Sequence, residues 1–123
     1  MEVKFYLCEH CGNIVEKIKD SGVPIICCGF PMTKIEANVK EASVEKHIPV
    51  IKEEDDKFII QVGSVLHPMI EEHYIEWIVV VFDNRVGRFN LKPGDEPVIT
   101  IPKKDKIDVY AYCNIHGLWK LER

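Results

Sequence analysis

Apolar and polar residues alternate along much of the chain after residue 57. In Ile107-Asp108-Val109-Tyr110-Ala111-Tyr112-Cys113 the odd positions share one face of an extended strand, which sets Ile107, Val109, Ala111 and the Cys113 sulfur on an apolar side. Apolar runs of strand length recur at Phe58–Val62, Ile75–Phe82, Arg85–Leu91 and Pro97–Ile101. β-branched residues dominate them, and Asp83-Asn84 and Lys92-Pro93-Gly94-Asp95 supply turns between them. No stretch carries helical periodicity, so this region predicts an antiparallel β-sandwich. The pattern before it differs. Up to about Ile35 there are only short extended pieces, with Gly22-Val23-Pro24 as a turn, too little chain for a hydrophobic core of its own. From Glu36 to Ser43 the chain is polar and charged and reads as a connection. The expected organisation is all-β, with a small metal-binding domain over residues 1–37 and a β-sandwich over residues 38–123.

Composition narrows the function classes. At 123 residues the chain fits one ordinary domain or two very small ones, for which metals or subunit contacts would supplement the core. The longest purely apolar run, Trp77–Phe82, is too short to cross a bilayer, so no membrane role is expected. Met1-Glu2-Val3-Lys4 lacks the opening of a secretory signal, and a cytoplasmic location is expected. In a reducing compartment five cysteines serve better as ligands or nucleophiles than as disulfides, and an odd number cannot pair completely. A net charge of -4 without a clustered basic face argues against a nucleic-acid partner.

Four of the cysteines form two pairs, Cys8-Glu9-His10-Cys11-Gly12 and Cys27-Cys28-Gly29, each followed by glycine. Wrapping a cysteine pair around a tetrahedral ion turns the backbone tightly, and Gly12 and Gly29 can take the positive φ that such knuckles require. A disulfide between Cys27 and Cys28 is disfavoured by adjacency, and a redox pair at Cys8 and Cys11 lacks the helix it would need. Four sulfurs on one ion, zinc or iron, is the expectation, with metal binding supplying much of the folding free energy. His10, inside the first loop, is expected to remain unligated.

Four of the five histidines fall in the sandwich region near strand ends: His47, His67, His73 and His116. Pro68 disfavours a helical conformation at His67, which places His67 and His73 in a loop. The turn Cys113-Asn114-Ile115-His116-Gly117 brings an imidazole back towards the Cys113 sulfur. Loops at one end of a sandwich can converge, and four imidazoles with one thiolate favour a redox-capable transition metal over magnesium or calcium. A blue-copper site would use two histidines and a methionine soon after the Cys-His pair, yet no methionine follows Cys113. Structural zinc closes at four ligands, one fewer than are offered here.

Phe5-Tyr6-Leu7-Cys8-Glu9-His10-Cys11-Gly12-Asn13-Ile14-Val15-Glu16 with Cys27-Cys28-Gly29 resembles the desulforedoxin-like domain of the desulfoferrodoxin family, the two-iron superoxide reductases. Glu45-Lys46-His47, His67-Pro68-Met69, Glu72-His73 and Cys113-Asn114-Ile115-His116-Gly117-Leu118-Trp119 are similar to its catalytic domain. The resemblance spans essentially the whole chain. It implies an FeS4 centre on Cys8, Cys11, Cys27 and Cys28, and a second iron on an immunoglobulin-like sandwich with His47, His67, His73 and His116 equatorial and Cys113 axial. The implied reaction is one-electron reduction of superoxide to hydrogen peroxide, with Lys46 attracting the anion and helping deliver protons, and Glu45 the carboxylate that occupies the sixth position in the ferric resting state. Backbone N–H groups of Asn114, Ile115 and His116 are candidates for tuning the sulfur. A homodimer and a small reductant such as rubredoxin are also implied. The non-catalytic alternative is a rubredoxin-like electron carrier or zinc-stabilised binding module whose second site is vestigial.

Overall fold

Two glycine-rich knuckles and a run of hairpins shape the chain, as seen in a computed structural model that describes residues 2–41 and 46–123. Among these residues every regular element is a strand, and the chain divides into two compact units, Met1–Glu36 and Ala37–Arg123.

The first unit holds five short strands: β1 (Phe5–Leu7), β2 (Ile14–Glu16), β3 (Ile26–Cys27), β4 (Phe30–Pro31) and β5 (Thr33–Lys34). They form a three-stranded sheet in the order β2-β1-β5 and a separate β3-β4 hairpin. Gly12 and Gly29 both carry positive φ, 83° and 80°, as their place after each cysteine pair requires. Cys28 joins them at φ 53°, so the second knuckle has two successive left-handed residues. Buried apolar side chains are few here: Val3, Phe5, Cys8 and Met32.

Seven strands form the second unit: β6 (Pro49–Glu54), β7 (Lys57–Val62), β8 (Ile75–Phe82), β9 (Arg85–Asn90), β10 (Val98–Pro102), β11 (Asp108–Cys113) and β12 (Gly117–Glu122). All neighbours pair antiparallel, in two sheets ordered β10-β7-β6 and β12-β11-β8-β9. Asp83 and Asn84, at φ 47° and 58°, make the two-residue β8-β9 turn, and paired positive φ suits the right-handed twist of the strands it joins. Alternation directs Phe58, Ile60 and Val62 of β7, Ile99 and Ile101 of β10, and Val109, Ala111 and Cys113 of β11 into one shared core. β8 adds Ile75, Ile78 and Val80 to that core although 75 and 78 differ in parity. The β8-β11 register shifts between Tyr112, opposite Trp77, and Cys113, opposite Ile75, leaving Glu76 as an extra residue on β8. The fold is the expected sandwich. Two strands absent from the periodicity reading, β6 and β12, complete its edges. No helix among the described residues is long and apolar enough to cross a membrane.

Candidate metal centres

In the first unit the four sulfurs of Cys8, Cys11, Cys27 and Cys28 all lie within 4.8 Å of one another. The Cys8 N–H donates to the Asn13 carbonyl and the Gly12 N–H to the Cys8 carbonyl, each at 2.8 Å, which closes the first knuckle. Cys11 and Cys27 bring their sulfurs to 3.6 Å, and the Asn13 side-chain amide donates to the Cys27 sulfur at 3.6 Å. The backbone N–H of Cys11, above all, holds the Cys8 thiol down to about 6. The sulfurs of Cys11 and Cys8 push the Cys28 thiol up to about 12, and Cys8 and Cys11 likewise raise Cys27. Packed sulfurs cannot all ionise beside one another, but a cation at their centre reverses that penalty for all four. The donor set therefore fits a tetrahedral thiolate metal. His10 is exposed and stacks on Phe30 with ring centroids 4.6 Å apart, outside the sulfur group.

At one end of the sandwich four imidazoles close a circuit. Ring centroids are separated by 4.7 Å for His47–His67, 4.6 Å for His67–His73, 5.1 Å for His73–His116 and 4.9 Å for His47–His116. The His47–His73 diagonal is 6.4 Å. One donor atom each from His47, His73, His116 and Cys113 falls within 4.8 Å of the other three, with His67 outside this tightest set. His47 Nε2 and His116 Nδ1 stand 3.2 Å apart, and the Cys113 sulfur is 3.9 Å from the same Nδ1.

Each ring is held by local structure. His67 Nδ1 lies 2.8 Å from the Pro68 carbonyl, to which only an Nδ1–H can donate, so Nε2 keeps the lone pair. His73 follows a tight turn in which Ile70 and His73 exchange backbone hydrogen bonds at 3.1 Å. Its Nε2 is buried with no hydrogen-bond partner among the described residues, a position that costs free energy unless a ligand fills it. Asn114 fastens that turn to the Cys113 loop: the Tyr74 N–H donates to Asn114 Oδ1 at 3.0 Å, and the Asn114 side-chain amide donates to the Glu72 carbonyl at 3.1 Å. Trp119 lies flat on His47, with centroids 4.4 Å apart and planes 13° from parallel, and donates its indole N–H to the His116 carbonyl at 3.2 Å. The fully buried Cys113 sulfur accepts the His116 backbone N–H at 3.4 Å. The Asn114 backbone N–H donates instead to the Tyr74 carbonyl at 3.2 Å, which removes it from the expected sulfur donors.

Lys46 is half-buried, and its carbonyl packs so closely on Gly63 that a Cβ there would meet it at 2.4 Å. Glu45 lies outside the described residues. Sequence reasoning missed Glu41, whose carboxylate receives the backbone N–H groups of His47 and Ile48. Its acidic character next to a histidine-bearing segment was the only available signal, and it read as a linker.

Fit to iron follows from the donors. A buried soft sulfur, imidazole nitrogens turned towards one another and an orphaned His73 nitrogen describe a site for a borderline transition ion, not for magnesium or calcium.

Comparison with known proteins adds independent findings. Residues 39–122 match the profile of the family described as Desulfoferrodoxin, and residues 1–35 that of Desulfoferrodoxin, N-terminal domain. A desulfoferrodoxin homolog from Archaeoglobus fulgidus is 48% identical over 119 residues, covering 96% of this chain and 95% of the relative. A superoxide reductase from Pyrococcus abyssi is 37% identical over 99 residues, covering 63% of this chain and 85% of the relative. The crystal structure of the superoxide reductase from Treponema pallidum superposes with a TM-score of 0.75 at 27% identity, covering 98% of this chain and 97% of that one.

Proposed function

This chain belongs to the desulfoferrodoxin family, and we infer from that premise and the histidine circuit that it is a superoxide reductase. Superoxide takes up one electron and two protons and leaves as hydrogen peroxide, with no dioxygen formed. The carrying observation is the closed ring of His47, His67, His73 and His116 beside a fully buried Cys113 sulfur. Two iron ions are the cofactors. When bound, the iron of the histidine site supplies the transferred electron and a position for the anion, and the iron of the four-cysteine site a second redox centre.

We assign Cys8, Cys11, Cys27 and Cys28 to residues 1–37 as ligands of the first iron, and His47, His67, His73, His116 and Cys113 to residues 38–123 as ligands of the second. Nε2 of His47, His67 and His73 and Nδ1 of His116 are the nitrogens that would hold the ion, an assignment supported by the facing His47 Nε2 and His116 Nδ1, the Pro68 carbonyl at His67 Nδ1 and the buried His73 Nε2. Burial keeps the Cys113 thiolate dry, and the His116 N–H moderates its charge. Lys46 adjoins His47 in a chain of net negative charge, and its ammonium attracts the anion and relays protons. Glu45 would supply a carboxylate to the second iron in its oxidised resting state.

A homodimer is supported by the exposed apolar side chains of the first unit, Ile18, Val23, Ile26 and Phe30. A small one-electron donor of the rubredoxin kind would meet the exposed Val65, Leu66, Ile70 and Ile115, each near a histidine ligand in sequence. The cytoplasm, where thiols stay reduced, suits five free cysteines.

The test is anaerobic purification, metal analysis and pulse radiolysis. Two irons per chain, two distinct chromophores and peroxide formed one-for-one with superoxide are expected. Zinc in the four-cysteine site and a colourless second site would overturn the assignment. Cys113→Ser should abolish turnover and the sulfur-to-iron band while sparing the four-cysteine spectrum. Replacing Lys46 by a neutral residue should slow superoxide capture and flatten its dependence on salt.

A further inference from the structure

Among the described residues, the imidazole of His47 stands against a carboxylate, that of Glu41. Glu41 stands six residues upstream, and its side chain is 23% exposed while that of His47 is fully buried. Both carboxylate oxygens face the His47 backbone N–H, at 2.8 and 3.0 Å, and Oε1 also accepts the Ile48 N–H at 2.7 Å. Oε2 comes to 3.9 Å from His47 Nδ1, the ring nitrogen opposite the Nε2 that faces His116. Two consecutive backbone donors and the outer edge of the ring are thereby referred to one anionic group. Trp119 covers a face of the same ring, so the imidazole is constrained both in plane and out of plane. Bonds of 2.7 to 2.8 Å from N–H groups to a carboxylate are of the charge-assisted kind, roughly twice as strong as neutral ones.

We propose that Glu41 is a positioning residue for the second metal centre: its carboxylate fixes the His47 backbone and lends negative charge to the imidazole through Nδ1. The proposal rests on the reading of the histidine circuit as an iron site. Because His47 and Ile48 both anchor on Glu41, the carboxylate joins backbone positions six and seven residues further along the chain. A carboxylate behind a ligating imidazole raises the basicity of that ligand and favours the higher oxidation state of the metal. Removing the charge therefore raises the reduction potential of the second iron, and removing the acceptor as well loosens the ligand.

The experiment compares wild-type, Glu41→Gln and Glu41→Ala holoproteins, with the four-cysteine iron of the same molecules as the internal reference. Three quantities are read: hydrogen exchange of a peptide spanning residues 46–50, release of the second iron to a chelator, and its midpoint potential. For Glu41→Ala, exchange at His47 and Ile48 and iron release should each accelerate on the order of 10-fold. Glu41→Gln retains an acceptor oxygen, so its exchange should change less while its potential still rises. The four-cysteine iron should keep its spectrum and potential in both variants. An unchanged potential in Glu41→Gln overturns the proposal, as do unchanged exchange and iron release in Glu41→Ala. A wild-type protein that takes up no iron at the histidine circuit overturns the underlying reading, and Glu41's role with it.

Discussion

Residues 2–36 bury Val3, Phe5, Cys8 and Met32 and leave Ile18, Val23, Ile26 and Phe30 more than half exposed, whereas the sandwich gathers twelve buried side chains into one cluster. Both units carry a constellation of metal donors, but the donors stand in different relations to the fold. In the first, strands of two or three residues can be held only weakly by their own pairing, and the sulfurs are the natural centre of organisation. In the second, Cys113 belongs to a core of buried apolar side chains, and the histidines lie outside the strands. A metal thus builds one unit and equips the other.

Breaking the first relation should give the largest effect. Cys27→Ser is expected to cost most of the metal-binding free energy, about 10 kcal/mol or more for a structural thiolate site, and with it the fold of the first unit. Hydrogen exchange should show β1, β2 and β5 unprotected while β7, β8 and β11 stay protected. Persisting protection in β1 would mean that the small unit folds without its ion.

His73→Ala probes the reverse relation. The second iron and turnover should disappear, yet the metal-free sandwich should shift in Tm by no more than roughly 4–8 °C, because losing an orphaned buried nitrogen offsets part of the lost packing. A collapse of the sandwich in calorimetry would show that the circuit is structural after all.

Gly63→Ala sharpens the boundary between core and site. A Cβ there would meet the Lys46 and Val65 carbonyl oxygens at 2.4 Å, on a residue with φ of 85°. Backbone cannot yield as a side-chain tip would, and a loss of about 3 kcal/mol by denaturant unfolding is expected. The displaced Lys46-His47 segment should also release its iron faster.

The smallest effect belongs to Asp20, in the first unit. The Gly22 N–H first, then the Lys17 and Lys4 ammonium groups, hold its carboxyl well below the usual carboxylate range. Its contribution is complete above the unfolded pKa of about 4 and fades as pH falls through the lower folded value. Asp20→Asn should therefore lower the Tm by a few degrees at pH 7, with the gap to wild type narrowing progressively below about pH 4.

Sequence carried the fold where alternation met burial on one face. β7, β8, β10 and β11 lie within a residue of their expected limits, β7 and β10 because Ile, Val or Phe alternate on their inward face, β8 and β11 because their mostly apolar runs are buried on both faces. The missed strands, β6 and β12, are both sheet edges, and Lys52-Glu53-Glu54 and Lys120 with Glu122 give them the polar tone that protects an edge from further pairing. Spacing and glycines marked the four-cysteine knuckles, since local chain geometry decides that site. The histidine circuit was legible as a set of ligand types, but its closure brings together His47 and His116, 69 residues apart, which periodicity does not reach. Glu41 was illegible for the same reason: its partners are backbone groups, and a backbone N–H has no sequence signature.

The extra residue on β8 has a chemical outcome at the other end of the protein's business. Uninterrupted pairing from Tyr112–Trp77 would set Glu76 directly across from Cys113, whereas the shifted register sets Ile75 there. Glu76 stays half-buried, and burial already pushes its carboxyl above the ordinary range. Without that shift a hydrocarbon neighbour of the thiolate would give way to an acid, trading a quiet sulfur for one obliged to compete with a second anion.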